Sequence, residues 1–203
     1  VVSNSLLATS FFILISLFAF NFTYELPENK IKILDEMIED HMKKARLNTV
    51  GFIITNKDST IFQKIYGETD KVKTTSPFIL GSISKSFTAL GLLKLNISLN
   101  QTLDKFDLND YIDEKDAKDI TISELLNHTS GLDRINSKRI YKKGYFHYSN
   151  YGFALLGKVI EKISGKTYHD YMKEKIFDPL KMENTNAKYH SDIIDSYDNF
   201  FGF

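Results

Sequence analysis

Two short β-rich runs, followed by a chain with mostly helical patterns, constrain the fold of this sequence more than any other feature. The runs are Thr49–Thr55 (TVGFIIT) and Thr60–Tyr66 (TIFQKIY), and the four residues between them, which begin at Asn56, are typical of a turn. This pattern predicts an antiparallel hairpin. Because two strands alone make a poor sheet, the hairpin requires further sheet partners, and the whole order of elements predicts an α+β fold.

The helical predictions rest on periodicity and on capping residues. Apolar residues spaced through Ile31–Arg46 predict an amphipathic helix ahead of the hairpin. A second helix is predicted from Ser82 to about Leu95. Thr121-Ile-Ser-Glu has the spacing of a capping box. The remaining signals are an apolar stripe from Phe153 to Ile163 that ends at Ser164-Gly165, and a cap at Thr167 for one more helix that stops near Asp178-Pro179.

Composition and charge exclude several classes of function. The 203 residues carry 26 basic and 26 acidic side chains, so no excess of positive charge favours nucleic acid as a partner. There is no cysteine, which excludes disulfides, thiol catalysis and zinc–thiolate sites. The histidines show no metal-ligand spacing. The residue pattern therefore predicts no metal site.

The first segment of the chain differs from the rest. Leu6–Phe20 is an apolar run of about fifteen residues, short for a helix that spans a bilayer but suited to the core of a signal peptide. We predict that residues 1–23 are a signal peptide or a membrane anchor and that residues 24–203 are the N-terminal part of a folded domain. We also predict that the protein is exported, either secreted, periplasmic or attached to a membrane. A buried core helix is the alternative for this run.

Ser82-Ile-Ser-Lys85 is the first candidate catalytic pair. Gly81 and an extended segment precede the serine, and an apolar helix follows it. A serine at a helix N-terminus has backbone N–H groups directed at a nearby oxyanion. The lysine lies one turn later on the same face, where it can share or accept the hydroxyl proton. The spacing by itself is common in a chain so rich in serine and lysine, so the context carries the prediction.

Tyr148-Ser-Asn150 is the second candidate motif. A tyrosine hydroxyl can relay a proton as general acid or base, and an asparagine amide can orient the lysine or a substrate carbonyl. A rival copy of the pattern stands at Tyr197-Asp-Asn199. We favour Tyr148 and Asn150 because they lie directly before the most strongly periodic helix.

Together these stretches give the chain a resemblance to a known family. It resembles the superfamily of serine β-lactamases, D-Ala-D-Ala carboxypeptidases and esterases, in its class C β-lactamase-related branch. The resemblance covers roughly residues 30–187. It is carried by residues 78–89 (FILGSISKSFTA), 120–132 (ITISELLNHTSGL), 148–157 (YSNYGFALLG), 163–168 (ISGKTY) and 178–185 (DPLKMENT).

The resemblance implies a fold, an activity and a set of roles. The fold is β-lactamase/transpeptidase-like, with an N-terminal helix and a hairpin beside a mostly helical subdomain. Ser82 would be the nucleophile, Lys85 its base partner, Tyr148 the proton relay and Asn150 a substrate-binding residue. The implied partner is a small ester, a D-amino-acid peptide or a β-lactam, with no metal or cofactor. His128 belongs to the same resemblance, and we expect it to fix backbone near the site instead of taking part in the chemistry.

Members of this superfamily carry a third motif, Lys-Thr-Gly or His-x-Gly, on a strand far downstream of the tyrosine. No such motif follows Tyr148 up to Phe203. We therefore expect the remaining sheet strands to be missing and the sequence to be part of a longer product. The alternative to a serine hydrolase is a non-catalytic scaffold or binding protein of the same fold. The oligomeric state is open.

Overall fold

The structure is a computed structural model, and it describes residues 25–187. The chain divides into two compact units, Val1–Ser76 and Pro77–Phe203. The predicted leader, residues 1–23, and the rival motif at Tyr197–Asn199 lie outside the described residues. Between residues 25 and 187, no helix has both the length and the apolar character needed to cross a membrane.

The first unit contains one helix and the predicted hairpin. Helix α1 is Glu28–Ala45, which begins three residues before the predicted start at Ile31 and ends where Arg46 adopts a left-handed conformation, with φ of 56°. Strands β1 (Thr49–Thr55) and β2 (Thr60–Gly67) pair antiparallel as predicted, with Val50 opposite Tyr66.

The connecting turn and the buried side of this unit are fixed by side chains. The Oδ1 atom of Asn56 accepts hydrogen bonds from the backbone N–H groups of Asp58 and Ser59, at 2.9 and 2.7 Å. Tyr66, which is buried, donates its hydroxyl hydrogen to Asp35 on α1 at 2.7 Å. The hairpin and α1 are therefore tied together by a polar contact as well as by packing.

The second unit is helical and rich in loops, as the sequence predicts. A 3-10 turn, Gly81–Ile83, leads directly into α2 (Ser84–Lys94). The later elements are a 3-10 turn (Leu103–Phe106), α3 (Glu114–Asp119), α4 (Ile122–Leu126), α5 (Asn150–Ser164), α6 (Tyr168–Met172) and a π-helical turn (Lys173–Phe177).

One hydrophobic core holds the second unit together. It includes Leu92 on α2, Leu156 on α5 and Met172 on α6, none of which has any exposed surface. Burying side chains of this size contributes about 1.5–3 kcal/mol each. Other fully buried members, from α5, the short helices and the loops, are Leu103, Leu108, Ile120, Ile122, Leu125, Leu132, Leu155, Val159, Ile160 and Ile176.

The predicted caps are present. Thr121 and Glu124 form the full capping box at the start of α4. The hydroxyl of Thr167 accepts the Asp170 N–H at the start of α6, and α5 ends at Gly165, whose φ is 66°. Such caps satisfy backbone groups that a helix end leaves without partners.

Within residues 25–187 the sheet consists of the two hairpin strands. This two-stranded sheet, together with the helices of both units, confirms the predicted α+β fold.

Candidate active site

The candidate nucleophile lies at the junction between a tight turn and a helix. Gly81 has a φ of 52°, a left-handed conformation that glycine adopts without steric cost. Ser82 follows in the 3-10 turn Gly81–Ile83, and Lys85 is the second residue of α2. Ser82 is exposed and Lys85 half-buried. The turn therefore presents the serine hydroxyl to solvent, while the helix places the lysine beside it.

Three predicted site residues meet in this unit. The Ser82 Oγ lies 2.6 Å from the Tyr148 hydroxyl oxygen, in a hydrogen bond in which either oxygen can donate. The Lys85 Nζ donates to the Ser82 Oγ at 3.3 Å. Since the lysine occupies one lone pair of the serine oxygen, the serine hydrogen is free to point at the tyrosine.

The surroundings of Tyr148 favour its ionised form. Burial raises the pKa of the phenol, but the neighbouring Lys85 ammonium, the Ser82 hydroxyl and the positive charge of Arg134 more than offset this, so the pKa lies below its ordinary value. The Lys85 Nζ lies over the Tyr148 ring, 4.9 Å from its centroid, and 5.6 Å from the centroid of Phe153. A base with a lowered pKa next to a nucleophile is an arrangement suited to proton transfer.

The backbone around Tyr148 is held by the loop that precedes it. Ser149 is buried and caps α5, since its Oγ accepts the Gly152 N–H at 3.0 Å and donates to the Asp133 carbonyl at 2.7 Å. The carbonyl of Arg134 accepts the N–H groups of both Asn150 and Tyr151, at 2.8 and 3.0 Å. The middle residue of the motif is therefore structural, and it fixes where the tyrosine emerges.

His128 contacts the same segment, which confirms the prediction that it fixes backbone near the site. Its Nδ1 accepts the Ser149 N–H at 3.1 Å. Its ring packs on Tyr148, with centroids 4.5 Å apart, and on Phe153 at 5.1 Å. Burial and the nearby positive charge of Lys85 lower the pKa of His128. The imidazole is thus favoured in its neutral form.

The role predicted for Asn150 remains a prediction. Asn150 is the first residue of α5, and within residues 25–187 its side-chain amide forms no hydrogen bond, in particular none with Ser82 or Lys85. Asn150 follows Tyr148 by two residues and is half-buried. Across the described part of the chain, no cluster of three or more His, Asp or Glu side chains is arranged to hold a metal ion.

Sequence reasoning missed two contributors to this site. Arg134, one of three arginines in a lysine-rich chain, supplies positive charge to Tyr148 and a carbonyl to the start of α5. The scarcity of arginine was the available signal. Phe153 fits the apolar stripe of α5, yet its ring lies under the Lys85 ammonium and against His128.

The arrangement combines a nucleophile, a proton acceptor, a cation and an oxyanion donor. The donor is the backbone N–H of Ser82, which forms no hydrogen bond with any residue between 25 and 187. N–H groups in the first turn of a helix have no intrahelical partner, so they can bind a developing negative charge. Such a site can attack a carbonyl and stabilise the tetrahedral oxyanion that results.

Comparison with known proteins gives a consistent set of similarities. The profile of the Beta-lactamase family matches residues 34–194. The chain is 30% identical over 217 residues to penicillin-binding protein 4* of Bacillus subtilis, covering 85% of this chain and 46% of that protein. It is 28% identical to beta-lactamase-like protein 2 of Dictyostelium discoideum, covering 81% of this chain and 37% of that protein.

Solved structures agree with the sequence comparisons. The octameric penicillin-binding protein homologue from Pyrococcus abyssi superposes with a TM-score of 0.65 at 27% identity, covering 75% of this chain and 43% of that one. The chain therefore spans less than half the length of these relatives.

Proposed function

The chain belongs to the Beta-lactamase family, and from this premise we propose that it acts as a serine hydrolase through an acyl-enzyme on Ser82. The observation that carries the proposal is the contact of three groups: the Ser82 Oγ lies 2.6 Å from the Tyr148 oxygen and 3.3 Å from the Lys85 Nζ. A nucleophile within hydrogen-bond distance of a proton acceptor, with a third group that stabilises the acceptor, is the general arrangement of covalent catalysis.

In the proposed acylation step, the Ser82 Oγ bonds to the substrate carbonyl carbon while its proton passes to the Tyr148 oxygen. The Lys85 ammonium stabilises the phenolate before the transfer, and it lies close enough to the serine oxygen to oppose charge that develops there. Tyr148 then returns the proton to the leaving group as the carbonyl–leaving-group bond breaks. In deacylation, a water oxygen bonds to the acyl carbon while Tyr148 takes its proton. Tyr148 then returns the proton to the Ser82 Oγ as the Ser82–acyl bond breaks and the acid leaves.

One oxyanion donor is available for this step, the Ser82 backbone N–H. Removing a single oxyanion donor from a serine hydrolase typically costs about a hundredfold to a thousandfold in rate. A second donor and a cation for a substrate carboxylate are expected from a Lys-Thr-Gly or His-x-Gly motif, which does not occur between Tyr148 and Phe203. Because the chain spans less than half the length of the relatives that it matches, the turnover proposed here is that of the whole protein.

The proposed substrates are a small ester, a D-amino-acid peptide or a β-lactam. All three present a carbonyl carbon with a leaving group, which is what Ser82 and Tyr148 are arranged to process. Asn150 is the residue proposed to contact the substrate. It follows Tyr148 by two residues, and its side-chain amide forms no hydrogen bond with residues 25–187.

The test is covalent labelling of the complete gene product with a fluorescent penicillin and, separately, a fluorophosphonate. We expect both the natural sequence and Ser86→Ala to be labelled, and Ser82→Ala to be blank. Ser86 is the matched control because it is an exposed serine one turn further along α2. Equal labelling of Ser82→Ala would refute the assignment of the nucleophile. A folded protein that neither probe labels would favour the non-catalytic scaffold.

We also propose that the protein is exported. The support is the apolar run Leu6–Phe20 at the start of the sequence. Fractionation of cells that express the gene, with and without residues 1–23, tests this proposal. The natural sequence is expected outside the cytoplasm or in the membrane fraction, and retention of both forms in the cytoplasm would contradict it.

A further inference from the structure

His128 holds the residues on both sides of Tyr148. Its backbone carbonyl accepts the N–H of His147 at 2.8 Å, and its ring Nδ1 accepts the N–H of Ser149 at 3.1 Å. The tyrosine between these two anchors packs its ring on the imidazole, with centroids 4.5 Å apart and planes inclined by 31°. One residue therefore fixes the backbone before the tyrosine, the backbone after it, and the orientation of its ring.

The backbone conformation of His128 supports a specific role. Its φ is 57°, in the left-handed region that is uncommon for residues other than glycine, although asparagine, aspartate and histidine adopt it more often than most. A residue held there by its surroundings indicates a constraint, since the conformation costs free energy that the contacts of the loop must offset. Here the left-handed turn is what allows the carbonyl and the ring of one residue to reach two different N–H groups.

The hydrogen bond to Ser149 also determines the protonation state of the imidazole. A nitrogen that accepts a hydrogen bond carries no proton, so the neutral ring has its hydrogen on Nε2. A protonated imidazole carries N–H on both nitrogens, and its Nδ1–H would face the Ser149 N–H. Protonation therefore converts the anchor after Tyr148 from an attraction into a repulsion between two donors.

The groups around the imidazole oppose its protonation. Lys85 on α2 adds positive charge, while Phe146 and Phe153 cover the ring with apolar surface, their centroids 5.7 and 5.1 Å away. On α4, Glu124 is the nearest acidic side chain along the chain, and its carboxylate is bound by Lys143 and by the Thr121 backbone.

The titratable neighbours in the loop before α5 are the His147 ring, which stacks on Tyr141, and Tyr148 itself. Within residues 25–187, no carboxylate pairs with the His128 ring to stabilise a positive charge.

We propose that His128, as the neutral Nε2–H tautomer, is the positioning residue for Tyr148, and that its protonation displaces the tyrosine from Ser82 and stops acylation. This inference rests on the proposed function, because it concerns the hydroxyl that takes the proton of Ser82. It adds a pH requirement: acylation falls on the acidic side at a midpoint below about 6.5, the ordinary value for histidine. A displacement of about 1 Å at a reacting group can cost on the order of a hundredfold in rate.

Two substitutions at His128 distinguish a role in positioning Tyr148 from a role in folding alone. His128→Asn places Oδ1 where Nδ1 stands, so it keeps the acceptor for Ser149, tolerates the left-handed backbone and does not titrate. His128→Ala removes the acceptor. His147→Asn is the matched control, since that imidazole stacks on Tyr141, 4.0 Å between centroids, and not on Tyr148.

The first measurement is the second-order labelling rate from about pH 5 to about pH 8. Protonation of the Tyr148 phenolate lowers the rate at acidic pH in every variant, so the rates are compared as ratios to that of His128→Asn. We expect the ratio for the natural sequence and for His147→Asn to fall with acid at a midpoint below about 6.5. At neutral pH, His128→Ala is expected to be slower by about a hundredfold. A ratio for the natural sequence that does not change with pH, or natural labelling rates in a folded His128→Ala, would overturn the proposal.

The second measurement is independent of the chemistry. On the Ser82→Ala variant, which cannot be acylated, nitrogen NMR of the imidazole is expected to show Nε2–H at neutral pH, and the Tyr148 ring resonances are expected to shift as His128 protonates. An Nδ1–H imidazole, or Tyr148 resonances indifferent to His128, would refute the positioning role alone. Failure of Ser82-dependent labelling in the natural sequence would instead refute the proposed function.

Discussion

Tyr148→Phe removes the hydroxyl that we propose accepts the proton of Ser82. The substitution deletes one oxygen and leaves the ring, so the packing on His128 at 4.5 Å and the Lys85 contact at 4.9 Å can remain. The Ser82 Oγ then keeps only Lys85, which donates to it at 3.3 Å and offers no lone pair while protonated. The serine loses the one acceptor within hydrogen-bond distance among residues 25–187.

The expected loss follows from the role of that hydroxyl. General acid–base catalysis by a positioned side chain contributes about a hundredfold to ten-thousandfold in rate. At about 1.36 kcal/mol per factor of ten, the activation free energy for acylation rises by roughly 3–5 kcal/mol. Stability should change far less, since a single hydrogen bond contributes about 0.5–1.5 kcal/mol. The two effects are therefore separable.

The assay is the stopped-flow rate of acylation by a chromogenic ester or β-lactam, with urea unfolding of the same samples. Tyr145→Phe is the matched control, because Tyr145 lies in the same loop, is 57% exposed, and its hydroxyl forms no hydrogen bond within residues 25–187. It should acylate at the natural rate. A Tyr148→Phe protein that acylates within about twofold of the natural rate would refute the role of Tyr148 as the acceptor.

Three further outcomes follow from the same structure. Gly91→Ala puts a Cβ 2.7 Å from the Met172 Sδ and is expected to lower the free energy of unfolding by about 1–3 kcal/mol. Gly157→Ala is the comparison, because its Cβ would lie 3.6 Å from the nearest atom of Tyr168, and it should be neutral or stabilising in the same urea titration. Ser149→Ala removes the cap of α5 and should cost about 1–2 kcal/mol by urea unfolding, together with slower labelling. The Tyr148 phenolate should appear below pH 10 in ultraviolet difference spectra against Tyr148→Phe, and stability should rise with pH through that window, because the folded state releases the proton first.

The helix ends and the hairpin of this fold can be predicted from the sequence because each depends on residues that are close together in the chain. The capping box at Thr121, the cap at Thr167 and the stop at Gly165 each depend on residues within one turn of helix. The hairpin likewise follows from two β-rich runs joined by Asn56. The start of α1 was placed three residues late, at Ile31, because the polar residues from Glu28 onwards add no apolar signal to the pattern.

The site itself depends on contacts that sequence spacing does not contain. Ser82 and Tyr148 are 66 residues apart, and only the packing of the second unit brings their oxygens to 2.6 Å. Residue type and family resemblance predict the pair and the backbone role of His128, whereas the contributions of Arg134 and Phe153 require coordinates. These two act through charge and ring packing, for which the sequence has no motif.

Peptide mapping of the acylated protein identifies the acylated residue, which we propose is Ser82. The complete gene product is incubated with a slowly hydrolysed β-lactam or a fluorophosphonate, quenched in acid, and its intact mass and proteolytic fragments are measured. We predict one added acyl or phosphonyl group per chain, located on Ser82 in the peptide that contains Gly81 and Lys85. An adduct on any other residue, or an adduct that persists in Ser82→Ala, would contradict it.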